Sequence, residues 1–204
     1  MTKDCPICNN KRHIFQPGKG WVKCECVAQL RANRIMAQSG FPDALWEIES
    51  SSFKPGNDDN RKKLAQGILA IVKHQDHQPV FIYSENPDKD RAAAIICRYC
   101  AIKDSSVQTI SYTTIDQLVQ RQFGKEYENQ SVADPVLADI TVVSIGREMT
   151  NKAHINSLYT LLYDRLLAEK FTIVCSFLPK NRILQVYHKA VDDLMAKNFV
   201  FYSC

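Results

Sequence analysis

Two pairs of cysteines open the sequence: Cys5-Pro-Ile-Cys8 and, after fifteen intervening residues, Cys24-Glu-Cys26. Paired thiolates on a short loop-rich segment are the donor set of a closed tetrahedral metal site, with Zn–S bonds of about 2.3 Å. Four sulfurs leave no open position for a substrate, so a structural Zn²⁺ is expected. It would supply the folding energy that so small a segment cannot gain by burial. His13 stands between the pairs and is surplus to a complete four-cysteine set. Unliganded thiols or a redox pair are the alternative. The remaining cysteines, Cys97, Cys100, Cys175 and Cys204, read as ordinary thiols; the C-x-x-C spacing of the first two falls inside an apolar helical pattern.

The same region is basic. Residues 1–40 carry seven Lys and Arg against Asp4 and Glu25, a net +5 in a chain of net +4, so the rest is close to neutral. Trp21 lies between the cysteine pairs, in a loop too small to bury an indole fully, beside Lys19, Lys23 and Arg12. An exposed aromatic among cations has the composition of an interface anchor; packing of Trp21 on its own metal knuckle is the alternative. Arg31 and Arg34, on the helix expected after Cys26, extend this candidate partner-binding set. With Asn33 they are also the only candidates for base-reading side chains on a rigid helix. A basic end on a near-neutral body places any nucleic-acid contact at the N-terminus, and single-stranded DNA is a second candidate partner.

Other chemistries are excluded early. The seven glycines stand at 18, 20, 40, 56, 67, 124 and 146, so no glycine-rich phosphate loop can exist between Ile68 and Phe123. No acid–base pair or nucleophile–histidine arrangement stands out, and His74, His77, His154 and His188 read as scattered surface residues. With 45% apolar and 24% charged residues the composition is globular. No apolar run approaches the ~18–20 residues that span a bilayer, and the longest, Ala92 to Ile102, is interrupted by Arg98. Met1–Cys8 lacks the apolar core of a signal peptide, so a cytoplasmic protein without membrane contact is expected.

The elements that must position these residues fall into three parts: a metal module with a helix (1–40), a connecting segment (41–60) and a larger body (61–204). The helix runs from Val27 to about Gln38 and stops at Ser39-Gly40 before Pro42. From Arg61, Leu64, Ile68, Ile71 and Val72 recur at helical spacing. Apolar strands are then expected at 80–83, 107–112, 140–145, 171–177 and 199–202, separated by helices at 91–103, 115–123, 153–167 and 183–195. Five apolar strands alternating with helices imply a three-layer α/β domain around a five-stranded parallel sheet.

This order resembles the bacterial replicative-helicase loaders and transposition helpers of the DnaC/DnaI/IstB type, which are AAA+ proteins. The resemblance rests on CPIC…CEC, a helix, Ser39-Gly40-Phe41-Pro42, the Ser52-Phe53 step and an ATPase-like body. Within the body, the stretch from Asp139 to Glu148 is similar to the family's acidic strand and turn, and Thr172–Phe177 to its later "TSN" strand.

The departures from that family bear on function. The position of its P-loop is occupied by Ser84-Glu85-Asn86-Pro87-Asp88-Lys89-Asp90-Arg91. All three P-loop glycines are missing, the lysine position is Asp90, and the magnesium-binding hydroxyl is Arg91. Lys89 can swing inward but cannot restore a phosphate-cradling backbone. The strand that should end in paired carboxylates ends in Val143-Ser144, the γ-phosphate-sensing asparagine is Phe177, and the arginine facing a neighbouring subunit is Leu194. The resemblance therefore implies a degenerate nucleotide site comprising Ser84, Pro87, Lys89, Asp90, Arg91, Ser144, Phe177 and Leu194, with no ATP bound. The expected protein is a pseudo-ATPase: a non-catalytic, zinc-bearing replication protein acting as adaptor, partner or inhibitor of the replicative helicase or its loader. The alternatives are a zinc-containing DNA-binding regulator and an ATPase with an unorthodox P-loop using Lys89.

Overall fold

The structure, a computed structural model, describes residues 5–49, 59, 62, 65–68, 78–122, 132–147 and 151–203. Half of the expected connecting segment (50–58 and 60) lies outside these residues, as do Leu64, Ile71, Val72, His74, His77, Glu148 and Cys204.

The body is a five-stranded, wholly parallel sheet in the order β4-β5-β6-β3-β7. Its strands are β3 (Val80–Tyr83), β4 (Ile110–Thr114), β5 (Ile140–Ile145), β6 (Phe171–Ser176) and β7 (Val200–Ser203). Parallel strands need crossovers, and here helices supply them: α2 (Asp88–Lys103), α3 (Ile115–Gln122), α4 (Lys152–Leu167) and α5 (Lys180–Asn198). Alternation along each strand divides the core in two. Val80, Ile82, Val142 and Ile173 face one layer, together with the alanines and isoleucines of α2. Phe81, Val143 and Val174 face the other, against Ile115, Leu158, Leu162, Ile183 and Val191 of α3 to α5. The three-layer arrangement follows from this double burial.

Ahead of the body, a two-stranded antiparallel hairpin, β1 (His13–Gln16) with β2 (Gly20–Lys23), leads into α1 (Cys26–Ala37). The sequence reading found no regular element between the cysteine pairs. Four-residue strands are too short for a period, and the turn relies on Gly18 and Gly20, whose φ values of +80° and +73° suit glycine.

The structure attaches α1 firmly to the body. Ala32, Ile35 and Met36 of α1 and Phe41 belong to the same apolar cluster as α2. The Arg31 guanidinium donates to the carbonyls of Ala101, Asp104 and Ser105, capping the C-terminal end of α2. Arg98 of α2 in turn donates to the Asn33 carbonyl oxygen. Beyond α1, the Tyr112 amide donates to the Ser39 carbonyl at 2.6 Å, and Phe41 packs against the Tyr112 ring, tilted by 32° with centroids 4.5 Å apart. Gly40 has φ +86°, and a Cβ there would meet the Tyr112 carbonyl oxygen at 2.8 Å. Gly40, three residues beyond the last residue of α1, thus lets the chain close onto β4.

The N-terminal ends of β5 and β6 are pinned by Arg165. Its fully buried guanidinium donates to Thr172 Oγ1 (2.8 Å) and to the carbonyls of Pro135 (2.9 Å), Ala138 (2.8 Å) and Phe171 (2.5 Å). Burial pulls its pKa down to about 10, with Asp139 opposing that shift. His154 corrects a sequence expectation: it is buried, not on the surface. Its Nδ1 accepts from the Asn151 amide and its Nε2 lies 2.8 Å from Asp116 Oδ1, which fixes the N-terminal cap of α4.

Candidate functional site

The four N-terminal cysteines converge. Their Sγ atoms all lie within 4.8 Å of one another, with Cys5–Cys24 at 3.8 Å and Cys8–Cys26 at 3.5 Å. A tetrahedron with ~2.3 Å bonds has sulfurs about 3.8 Å apart, so the donor set fits a metal ion. The local chain explains the convergence. Asn9, Asn10 and Arg12 take positive φ values of 45°, 63° and 64°, turning the knuckle, and the Cys24 amide donates to the Arg12 carbonyl at 2.8 Å. Backbone amides of Cys8 and Ile7 lower the Cys5 thiol to about 7, whereas burial and the other three sulfurs raise Cys26 to about 12. Crowded thiols that resist joint ionisation need a cation to hold all four as thiolates. His13 is exposed on β1 and is outside the cluster.

The hairpin projects from this cluster. Phe15 pairs with Trp21 across the strands and His13 with Lys23, placing all four on one face. Trp21 is 70% exposed and Phe15 63%, in edge contact with centroids 5.8 Å apart. The indole therefore packs on Phe15, and both rings meet solvent. Phe15 was missed in the sequence, although its symmetric distance from the Pro17–Lys19 turn could have disclosed it. Arg12, Lys19, Lys23 and Arg34 are exposed, while Arg31 is half-buried and spent on α2.

The second site lies at the C-terminal edge of the sheet. After β3 the chain crosses to β4 on one side, while β7 adds on the other. The crevice at such a topological switch point is where open α/β sheets take ligands. Side chains of the protein occupy it. Ser84 Oγ accepts from the Asn86 amide at 3.1 Å, and Pro87 precedes the first turn of α2. Lys89 is fully buried, with Nζ 3.2 Å from Asp90 Oδ2 and 3.0 Å from the centroid of Phe177. The Arg147 guanidinium lies 3.6 Å from the same centroid. It is placed there by Gly146 (φ +94°), whose amide donates to the Tyr187 hydroxyl at 3.0 Å. Asp90 Oδ1 also lies 3.3 Å from the Tyr112 hydroxyl. Burial lowers the Lys89 pKa, the Asp90 carboxylate opposes this, and burial raises the Tyr112 phenol.

Of the nucleotide-site residues, Ser84, Lys89, Asp90 and Phe177 thus come together or adjoin, and Ser144 joins them through its hydrogen bond to the Tyr112 hydroxyl. Ser144 is half-buried at the end of β5, Arg91 is exposed on α2, and Leu194 is half-buried on α5. The first turn of α2 presents the carboxylates of Asp88 and Asp90, which oppose an anion at that helix end.

No protein-family model matches the sequence, and no curated protein matches it. Solved structures do. A candidate primosome component from Streptococcus pyogenes serotype M3 superposes with a TM-score of 0.65 at 13% identity, covering 83% of this chain and 94% of its own. DnaI gives a TM-score of 0.65 at 13% identity, covering 81% and 95%. The DnaC helicase loader gives 0.63 at 12% identity, covering 79% of this chain and 99% of the loader. Among the described residues no helix is long and apolar enough to cross a membrane. At these identities the likeness is one of fold: a five-stranded parallel sheet layered by helices, similar to the fold of the DnaC helicase loader.

Proposed function

We propose that this chain is a non-catalytic protein of a DNA replication system, contacting a replicative helicase or its loader as adaptor, partner or inhibitor. The observation that carries the reading is a loader fold whose switch-point crevice is filled by the protein's own Lys89, Asp90, Phe177 and Arg147. A triphosphate there would have to displace a buried ion pair and meet two helix-terminal carboxylates. The protein is accordingly a pseudo-ATPase with structural Zn²⁺ on Cys5, Cys8, Cys24 and Cys26, and its partner contact is the exposed aromatic–basic face of the hairpin. Engagement of Arg31 and Asn33 within the chain speaks against a base-reading helix, and burial of Lys89 speaks against an unorthodox P-loop.

Two measurements test this reading. Millimolar Mg-ATP should leave the melting temperature unchanged, because only a ligand that binds the native state stabilises it. A saturable rise that disappears in Lys89→Ala would reinstate the ATPase. Binding of the host's purified replicative helicase or its loader, followed by calorimetry, should weaken at least ~30-fold in Trp21→Ala, the loss of about 2 kcal/mol typical of a hot-spot aromatic. If neither protein binds the full chain, the adaptor reading is wrong.

A further inference from the structure

We propose that the outer face of α4 docks onto itself, pairing two copies of this chain antiparallel about a two-fold axis. Of the ten exposed large apolar side chains among the described residues, five gather at α4: Tyr159, Tyr163 and Leu167 on the helix, and Val136 and Leu137 at its C-terminal end. The loop is held there by Arg165, which donates to the Val136 carbonyl, and by Lys170, which donates to the Leu137 carbonyl. Exposed apolar side chains scattered singly need no explanation, but a gathered group marks an interaction surface. Tyr159, Tyr163 and Leu167 recur every four residues and so share one helix face, while Leu158, Leu161, Leu162 and Arg165 are buried on the other. The tyrosine rings stack on each other, with centroids 5.9 Å apart and planes 11° from parallel, and 37% and 44% of the two residues remains open to solvent.

Charge selects a second copy as the occupant. No lysine, arginine, aspartate or glutamate lies between Lys152 and Asp164, so the centre of the face is neutral. A two-fold axis at Leu161, midway between the tyrosines, sets Tyr159 against Tyr163 of the other copy. Lys152 and Glu169 flank that axis at about 13 Å and 12 Å, taking helical rise. Each lysine therefore meets the other copy's glutamate, twice by symmetry. Both are exposed, and among the described residues neither makes an ion pair within the chain. Lys170, the nearest like charge, is held by the Leu137 carbonyl. The hairpin is unsuited to such pairing: residues 5–24 hold Lys11, Arg12, Lys19 and Lys23 and no carboxylate, so a two-fold there would oppose like charges. A pair of 16-residue helices buries less than the standard interface of about 1,600 Å², so the dimer is expected to form at roughly 1–100 µM.

The test is sedimentation velocity of the full chain from about 1 to about 200 µM, which should show a monomer–dimer equilibrium. Leu167→Glu sets a carboxylate into the face near Asp164 and Glu169 and should weaken pairing ~10-fold or more, as loss of an interface anchor does. Tyr159→Ala with Tyr163→Ala should do the same. Lys152→Glu should weaken pairing about 5-fold, and adding Glu169→Lys should restore it, because the charge pair is then reversed and not lost. A zero-length carbodiimide crosslink should join Lys152 to Glu169. These lie about 25 Å apart along one chain, so the crosslink forms only between copies, and mass spectrometry of mixed nitrogen-14 and nitrogen-15 protein identifies it. All these positions are exposed, and circular dichroism verifies that each variant is folded. A monomer throughout the range overturns the proposal, as does a dimer indifferent to Leu167→Glu and to the tyrosine pair. A dimer lost in Trp21→Ala but kept in Leu167→Glu moves self-association to the hairpin and overturns it too. Failure of both the charge swap and the crosslink rejects the antiparallel pairing. If the chain stays monomeric while Leu167→Glu releases the helicase or loader, the face belongs to that partner and the two-fold is rejected. Dimerisation is read without the helicase or loader, so it stands or falls apart from the function proposed above.

Discussion

The pair formed by Lys89 and Asp90 offers the sharpest test of the filled crevice. Asp90→Asn keeps the shape of the side chain and removes the charge facing a lysine that is itself fully buried. At 3.2 Å and an effective dielectric constant of ~20, the gross attraction is about 5 kcal/mol. Desolvation offsets part of this, and removing one partner of a buried pair typically costs ~3–5 kcal/mol. Because Asp90 retains some contact with solvent, about 3 kcal/mol is expected. Urea unfolding at pH 7 should show this as a lower midpoint with an unchanged slope. The pH dependence follows from the same group. Burial lowers the folded-state pKa of Lys89 below its unfolded value near 10.5. Between these two values the unfolded chain binds more protons, so stability should rise with pH. Asp90→Asn removes a contribution that raises the Lys89 pKa, so the window should open at lower pH. Lys89→Met in that background should recover most of the loss, since no charge then remains buried. A cost below ~0.5 kcal/mol, or a double variant as unstable as the sum of the singles, would refute the buried pair.

Other outcomes follow from the same geometry. Protein purified without chelator should contain about one equivalent of zinc by metal analysis, and chelation should erase the hairpin's backbone-amide protection while the sheet stays protected. Arg165→Met should destabilise the body by ~3 kcal/mol in urea, because at least four buried acceptors lose one of their donors. Asp139 is held below its ordinary carboxylate value, with burial opposed by the amides of Gln108 and Thr109 and by the Thr109 hydroxyl. Its contribution is present above about pH 3.8 and lost as pH falls through the folded value, so Asp139→Asn should flatten the acid limb of stability there. Gly40→Ala should cost ~1–3 kcal/mol, measured by thermal unfolding, from strain at φ +86° and the approach to Tyr112.

Much of the body could be read from the chain because buried parallel strands are written as continuous β-branched runs, such as Ile140–Ile145 and Phe171–Phe177. The strands found at 110–114 and 200–203 lie only a few residues from those expected. The hairpin could not be read in this way, since its order comes from converging sulfurs and two positive-φ glycines and not from periodicity. Arg31 illustrates a second limit. Its place in a basic segment says nothing about whether its helix face meets solvent or the end of another helix, and it meets the latter. His154 was misjudged for the same reason, as its capping partner Asn151 is local but the Asp116 that receives its ring is 38 residues away. The cysteine cluster was legible because thiolate pairs at short spacing leave few alternatives. The filled crevice was legible only as missing glycines; that Lys89 would turn inward onto Phe177 required the fold.

The seating of α1 on α2 gives the molecule a lever. A load applied at the hairpin tip enters α1 through Cys26, a cluster member that is also its first residue. It then passes along about 8 Å of helix to Arg31, clamped on one end of α2. The other end of α2 carries Lys89 and Asp90, so the fulcrum and the crevice belong to one rigid helix. Torque at the tip is therefore delivered to the switch point with no hinge in α1 or α2 to absorb it. A partner that pulls on the module would strain the crevice directly, and mechanical unfolding from the hairpin should begin there before the far strands of the sheet yield.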